Sequence, residues 1–195
     1  MLELLALALA ILAAAAAVWV PAYFGRLKPG YSHLKHTISE LGEAGSPIST
    51  RVSYLGFVPI GLLVWAYLGV TALIFPASDS KALGLLALIG LGYVGGGVFR
   101  CDAGAPLGGS VATVLHNIFG AGEYLGAAAA FSMLRSETYW ASLSDILSYA
   151  SGAIIVCLWG ISFPHPYRGL IQRFAESLIF GGLVLMAWWV YRAGA

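Results

Sequence analysis

Six apolar runs, each about 20 residues long, are separated by short polar stretches and account for most of this chain. About 20 apolar residues in a helix span the ~30 Å hydrocarbon core of a bilayer. The runs lie at about Leu2–Phe24, Val52–Phe75, Ala82–Phe99, Ser110–Leu134, Ala141–Phe163 and Leu170–Tyr191. The expected fold class is therefore all-α integral membrane: a six-transmembrane helix bundle forming a single domain over residues 1–195. Composition leaves no other comfortable class. Charged residues make up 10% and hydrophobic residues 59%, whereas a soluble domain carries about 25% charge. There is too little polar surface to cover a water-soluble globule.

Several function classes drop out on the same grounds. A net charge of +1 gives no basic footprint for nucleic acid. Cys101 and Cys157 form neither a CxxC motif nor a disulfide framework. Alanines crowd the end of the first run, as near a signal-peptide cleavage site, but no Lys or Arg precedes it, so it is read as a span. The second run stops at Pro76 and the fifth at Pro164 and Pro166. Pro21 and Pro59 are expected to kink the first two spans. Gly92 and Gly96 in the third make a small-xxx-small pair, which predicts close contact with a neighbouring helix. Trp188, Trp189 and Tyr191 form an interfacial belt at the end of the sixth.

Six spans put both termini on one side, together with loops two and four. Loops one, three and five, with their helix ends, carry Arg26, Lys28, Lys35, Arg51, Arg100, Arg168 and Arg173; the other side carries Lys81, Arg135 and Arg192. The positive-inside rule then predicts cytoplasmic odd loops and external termini. All four histidines, with Ser39, Glu40, Glu43, Cys101, Asp102 and Glu176, fall on the odd-loop side. The far side has Asp79, Glu137 and Asp145, with Glu3 at the start. Polar chemistry is thus concentrated on one face.

The longest polar break runs from Tyr31 to Gly42. As a helix it would set Tyr31, Leu34, Ile38 and Leu41 on one face and His33, His36 or Thr37, and Glu40 on the other. Ser32 would cap its start, and Gly42 sits at the C-terminal position. The expectation is a short amphipathic helix in the first loop, lying at the membrane surface.

Candidate site residues follow from that face. His116 and Glu123 are seven apart, two turns along one helix face. An acid at that depth needs a partner or a wet cavity, and Arg51, Arg100 or His116 are the expected partners. Arg173 and Glu176, three apart, are expected to pair with each other. Arg51, Arg100 and Arg173 would contact an anion or lipid headgroup, with Glu123 in the buried network. A metal reading takes His33, His36 and His165 as ligands, with Asp102 or His116 completing the shell and zinc as the metal. A nucleophilic reading takes Ser39 with His36, Glu40 and Asp102, although no G-x-S-x-G elbow is present. The bland alternative is that Ser39 and Glu40 cap neighbouring helix ends. Haem is disfavoured because His116 is the one histidine clearly inside a span.

Four fragments together carry a resemblance. They are Ile38-Ser39-Glu40-Leu41-Gly42 with Gly45 and Pro47; Gly96-Gly97-Val98-Phe99-Arg100-Cys101-Asp102-Ala103-Gly104; His116; and Arg168-Gly169-Leu170-Ile171-Gln172-Arg173. In this order the chain resembles the domain-of-unknown-function 998 (DUF998) family of bacterial and archaeal six-span membrane proteins, from about residue 10 to 190. The resemblance implies a prokaryotic plasma-membrane location and points to Ser39, Glu40, Asp102, His116 and Arg173 without naming a reaction. The family pattern usually has Pro between Phe and Cys-Asp, where this chain has Arg100, adding a charge beside Asp102. The Ser-Glu-Leu-Gly segment is also similar to Frag1/DRAM-type proteins. The Ser, Asp and His inventory is similar to alkaline ceramidase-like hydrolases, whose seven spans and late HxxxH pair this chain lacks. Three functional expectations result. The first is a membrane protein binding a lipid headgroup or small polar ligand, with membrane lipids as partners. The second is a metal-dependent hydrolase of lipid amide or ester bonds, with His116 and Asp102 activating water and Ser39 or Glu40 orienting or protonating. The third is a small-solute transporter.

Overall fold

The computed structural model describes residues 1–75, 80–136 and 138–194. Pro76, the expected stop of the second span, and the far-side acids Asp79 and Glu137 lie outside the described residues. Among the described residues there is no strand, and six long helices are present. They are α1 (Leu2–Leu27), α2 (Ser49–Ile74), α3 (Ser80–Val98), α4 (Val111–Leu134), α5 (Ser144–Ser162) and α6 (Arg168–Gly194). Each packs on the next in chain order, and α6 returns to α1, so the bundle closes on itself. Five of these helices, with α5 extended back to Thr138, are long and apolar enough to cross a membrane. The remaining helix, α4, has 24 residues but dilutes its apolar run with His116, Asn117 and Glu123.

Small residues make up most of the inner stripe of α1, and large apolar residues cover the outside of the bundle. On α1 the inward positions are Ala6, Ala10, Ala13, Ala17, Val20 and Phe24, at alternating steps of four and three. Outward positions carry bulk: Val18 is 70% exposed, Leu73 72%, Val156 69% and Trp159 70%. A water-soluble monomer does not expose apolar surface on this scale. In lipid it costs nothing, and tight helix contact through small residues supplies the cohesion instead. The chain is a multi-pass membrane protein.

Two features shape α2 and α3. A π turn over Ser53–Phe57 precedes Pro59; its wider loop moves backbone away from the proline ring, which would otherwise strike the preceding turn. On α3, a Cβ at Gly92 would stand 2.5 Å from the Glu123 Cβ and 3.1 Å from the Phe119 carbonyl, and one at Gly95 would collide with the Phe119 ring. At Gly96 the nearest atom, His116 Cε1, would be an ordinary 3.5 Å away. Close helix contact therefore runs through Gly92 and Gly95 rather than through Gly92 and Gly96. Gly92→Ala is expected to destabilise the detergent-solubilised protein by about 1–3 kcal/mol through overpacking, read by denaturant unfolding. Gly84→Ala, where a Cβ would meet nothing within 4 Å, is the control and is expected to be neutral or mildly stabilising.

The first loop departs from expectation. Instead of an amphipathic helix over Tyr31–Gly42, a turn at Ser32–His36 is followed by a single 3-10 turn at Ser39–Gly42. Tertiary partners take the backbone groups that a helix would use. The Ile38 amide donates to Gln172 Oε1 at 2.6 Å, and the Leu170 amide donates to the Leu34 carbonyl at 3.0 Å. A Cβ on Gly169 would collide with the His36 carbonyl, so this loop lies directly on the start of α6.

Candidate functional site

Loops one, three and five form one hydrogen-bonded cap over one end of the bundle. Lys28 pairs with Glu43 at 2.7 Å and also donates to the Glu40 carbonyl. Glu43 Oε2 accepts the Gly104 amide at 2.8 Å, and the Ala44 amide donates to the Cys101 carbonyl at 2.7 Å. From the fifth loop, Arg168 donates to the carbonyls of Ile161, Gly104 and Ala105 at 2.9–3.2 Å. Burial pushes the Cys101 thiol up to about 12, so it is no thiolate nucleophile.

Several residues read as catalytic or ligand-binding turn out to hold this cap. Asp102 accepts the Ser110 amide at 2.8 Å and the Ser110 hydroxyl at 2.9 Å, while its own amide donates to Thr113 Oγ1. Ser110 is the N-cap of α4, accepting from the Thr113 amide. Asp102 is thus the outer half of a helix cap, and no contact joins it to His116. The Ser110 amide first, then the Thr113 and Ser110 hydroxyls, hold its carboxyl below the usual carboxylate range. Glu40 is buried and accepts the Thr37 amide at 2.8 Å and its hydroxyl at 3.1 Å, a local turn closure. Arg51 is exposed, and Arg100 reaches Ser49 Oγ at 3.4 Å. Neither lines the cavity beneath the cap or the groove between α1 and α6.

Arg173 does not pair with Glu176. Its guanidinium turns to loop one, donating to the carbonyls of His33 (2.7 Å), His36 (3.1 Å) and Gly169 (2.8 Å), to Tyr31 Oη (2.6 Å) and to His33 Nδ1 (2.9 Å). Five acceptors in fork geometry make it the staple between α6 and loop one. His33 Nδ1 accepts only when the ring is neutral there. Partial burial, with Arg173 and Arg26 nearby, pushes its pKa down and favours that form. Burial likewise pushes Tyr31 up to about 12.

The three histidines read as metal ligands are used separately. His33 meets Arg173, His36 Nδ1 accepts the Ser32 amide at 2.8 Å, and His165 bonds to the Gly160 carbonyl and the Tyr167 amide. Among the described residues, no three His, Cys, Asp or Glu side chains converge to hold an ion.

What the fold does bring together lies beneath the cap. A cavity of about 150 Å³ runs between α3, α4, α5 and α6, roughly ten times what one water needs. Exposed Leu107 and half-buried Asn117 line its outer part, and buried Tyr93, Glu123, Tyr124 and Glu176 line its inner part. His116 and Glu123 do share this lining, as their spacing of seven implies, and Ser39 also contributes. His116 Nδ1 lies 2.8 Å from the Phe99 carbonyl. A carbonyl only accepts, so the proton sits on Nδ1 and the neutral ring keeps an acceptor at Nε2.

The innermost residues form one network. Glu176 accepts Tyr124 Oη at 2.5 Å and Tyr93 Oη at 2.8 Å, one on each carboxyl oxygen. Gln172 Nε2 donates to Tyr124 Oη at 3.2 Å while its oxygen holds Ile38 of loop one. Glu123 stands against Glu176 rather than against an arginine, and its Oε1 is buried with no partner. Sequence reasoning passed over Tyr93, Tyr124 and Gln172. Their one signal was polarity inside apolar runs, which for tyrosine is weak.

Donors and acceptors in this cavity are out of balance. Asn117 Nδ2 is spent on the carbonyls of Pro106 and Leu107, the Arg168 nitrogens on three carbonyls, and Gln172 Nε2 on Tyr124. The hydroxyls of Tyr93, Tyr124 and Ser162 donate to protein oxygens. Left over are three acceptors, the Glu123 carboxyl, His116 Nε2 and the Asn117 amide oxygen, and the Ser39 hydroxyl, which can donate or accept. A second cavity, a groove of about 440 Å³ between α1 and α6, is lined by Ala14, Ala17, Pro21, Phe180 and, at the odd-loop end, His33 and Arg173.

No curated protein matches the chain, and no solved structure matches it. One family model does, over residues 8–189: "Protein of unknown function (DUF998)". The match runs from the second turn of α1 to the last turns of α6, and the chain belongs to the DUF998 family.

Proposed function

We propose that this is a six-span membrane protein, its odd loops cytoplasmic, that binds a small ligand carrying a primary ammonium group in the cavity beneath the loop cap. The ammonium comes from a free amine or from a lipid headgroup. The observation that carries the reading is buried Glu123: it lines a cavity whose side-chain amide nitrogens are already spent, and its Oε1 accepts from no protein donor. A buried polar atom left unpaired costs about 1–3 kcal/mol, and a ligand N–H would recover it. The cavity's acceptor-rich lining disfavours the anionic headgroup expected from Arg51, Arg100 and Arg173, none of which lines it. Orientation follows from the basic residues at the cap, of which Arg26, Lys35 and Arg51 are exposed. A transporter would need a cavity from the far end meeting Glu123. The second groove instead carries His33 and Arg173 of the capped end in its lining.

Calorimetric titration of the detergent-solubilised protein with ethylammonium chloride tests the reading, with sodium phosphate as the anionic control. Ethylammonium is expected to bind and phosphate not. Glu123→Gln, which keeps shape and removes the charge, is expected to weaken ethylammonium binding at least about tenfold, a loss of about 1.4 kcal/mol. Unchanged binding in that variant, or binding of phosphate alone, sinks it. The source of the amine is separated by reconstitution: phosphatidylethanolamine discs compete with ethylammonium if the headgroup is the ligand, and phosphatidylglycerol discs do not.

A further inference from the structure

Resting on that reading, the geometry points to proton exchange: Glu123 and Glu176 share one proton in the ligand-free protein, and the entering ammonium displaces it. Both carboxyls line the same cavity, and they are hydrogen-bond neighbours. Two carboxylates cannot hydrogen-bond to each other, because neither has a donor; the contact requires one proton between them. Hydrogen-bond counting places it. Each Glu176 oxygen already accepts a tyrosine hydroxyl, so Glu176 is the ionised acceptor and Glu123 carries the O–H. The pair then bears a single negative charge.

Among the described residues no cationic side chain donates a hydrogen bond to the pair. Facing the pair are Tyr93 from α3, Tyr124 and His116 from α4, and Gln172 from α6; Glu176 also lines the second groove, together with Arg173 and with His33 of loop one. α2 and α5 contribute Phe57, Leu158, Ile161 and Ser162, none of which titrates. Arg173, one turn away on α6, directs its N–H groups to loop one, and Arg168 spends its own on carbonyls at the cap. His116 Nδ1–H donates to the Phe99 carbonyl. With no cationic donor bonded to the pair, a mobile ammonium is the partner for a second negative charge there.

The exchange balances. The Glu123 O–H bond breaks, the proton leaves through the cavity mouth to solvent, and one ammonium replaces it, so the charge of the site is unchanged. By linkage, a ligand that expels a proton binds more tightly as pH rises. Ethylammonium itself belongs to the lysine class of amines, with a pKa of about 10, so it stays charged across pH 6–8 and the dependence reports the protein.

Titration of the full chain in detergent with ethylammonium chloride, in phosphate and in HEPES (which carries no primary amine) at one pH, counts the protons released from the difference in heats. About one proton per bound cation is expected, with affinity rising from pH 6 to pH 8. Difference infrared spectra are expected to show a protonated-carboxyl band lost on adding ethylammonium and absent in Glu123→Gln. Glu176→Gln, should it fold less well, is not needed for either readout. Binding with no proton release and equal affinity at both pH values overturns the exchange while leaving the ammonium site standing. No binding of ethylammonium at all overturns both.

Discussion

Arg173→Ala is expected to lower the unfolding free energy in detergent by about 3 kcal/mol or more, since hydrogen bonds from a charged donor contribute about 1.5–3 kcal/mol each and are not additive. The side chain makes five contacts, four of them to loop one. Losing them leaves the His33 carbonyl to solvent and the His36 carbonyl with Tyr31 Oη alone. Arg173→Lys keeps the charge but not the planar fork, so it is expected to recover less than half of the loss. The clasp also carries a pH dependence. His33 has a folded pKa below its ordinary value, so the unfolded chain takes up its proton first as pH falls. Its contribution is complete above about pH 6.5 and is lost as pH drops through the lower folded value. Chemical unfolding at pH 8 and pH 5, in wild type and His33→Ala, checks the sign: the variant should show the weaker dependence. A loss under about 1 kcal/mol in Arg173→Ala would mean that Gln172 and the Leu34–Leu170 bond hold the loop without it.

Glu176→Ala is the second large effect. It leaves Tyr93 Oη and Tyr124 Oη buried without their acceptors, at about 1–3 kcal/mol each, on top of the cavity left by the shortened side chain. The expected total is about 3–5 kcal/mol. The diagnostic is the triple variant Glu176→Ala, Tyr93→Phe, Tyr124→Phe. Removing the two hydroxyls along with their acceptor takes away the donors that Glu176→Ala strands, although Gln172 Nε2 then loses Tyr124 Oη. The triple variant should therefore be more stable than Glu176→Ala alone. If the two unfold together, the tyrosine hydroxyls are finding other partners and the network is not a unit.

The contrast between Asp102 and Glu123 shows how far residue type leads. Both are acids on the polar half of the chain, and both were candidates for chemistry. Asp102 sits eight residues before Ser110 across a loop with Gly104, Gly108 and Gly109; the loop folds back so that its carboxylate closes the cap of α4. That outcome depends on where the loop returns, which no spacing rule contains. Glu123 sits inside a helix whose register was legible, so its place on the His116 face followed from the helical period. Its neighbour did not follow. Arginines were the natural guess for a buried acid, yet the bundle brings another acid, Glu176, because α6 turns that face toward α4 and sends Arg173 the other way.

Sequence alone determined the class, the apolar runs, the shared polar end and the family, because bilayer thickness and backbone hydrogen bonding admit few solutions for such a chain. Even the inward stripe of α1 was present in its letters, hidden because alanine lies on both of its faces. The tertiary structure decided which polar groups meet. It unwound loop one onto α6, spent three arginines and an aspartate on the cap and its helix ends, separated the histidines, and left one carboxyl oxygen of Glu123 without a partner. Those outcomes depend on pairings between residues up to 142 positions apart. Such pairings are set by which donors and acceptors packing leaves within reach, and a one-dimensional pattern does not record that.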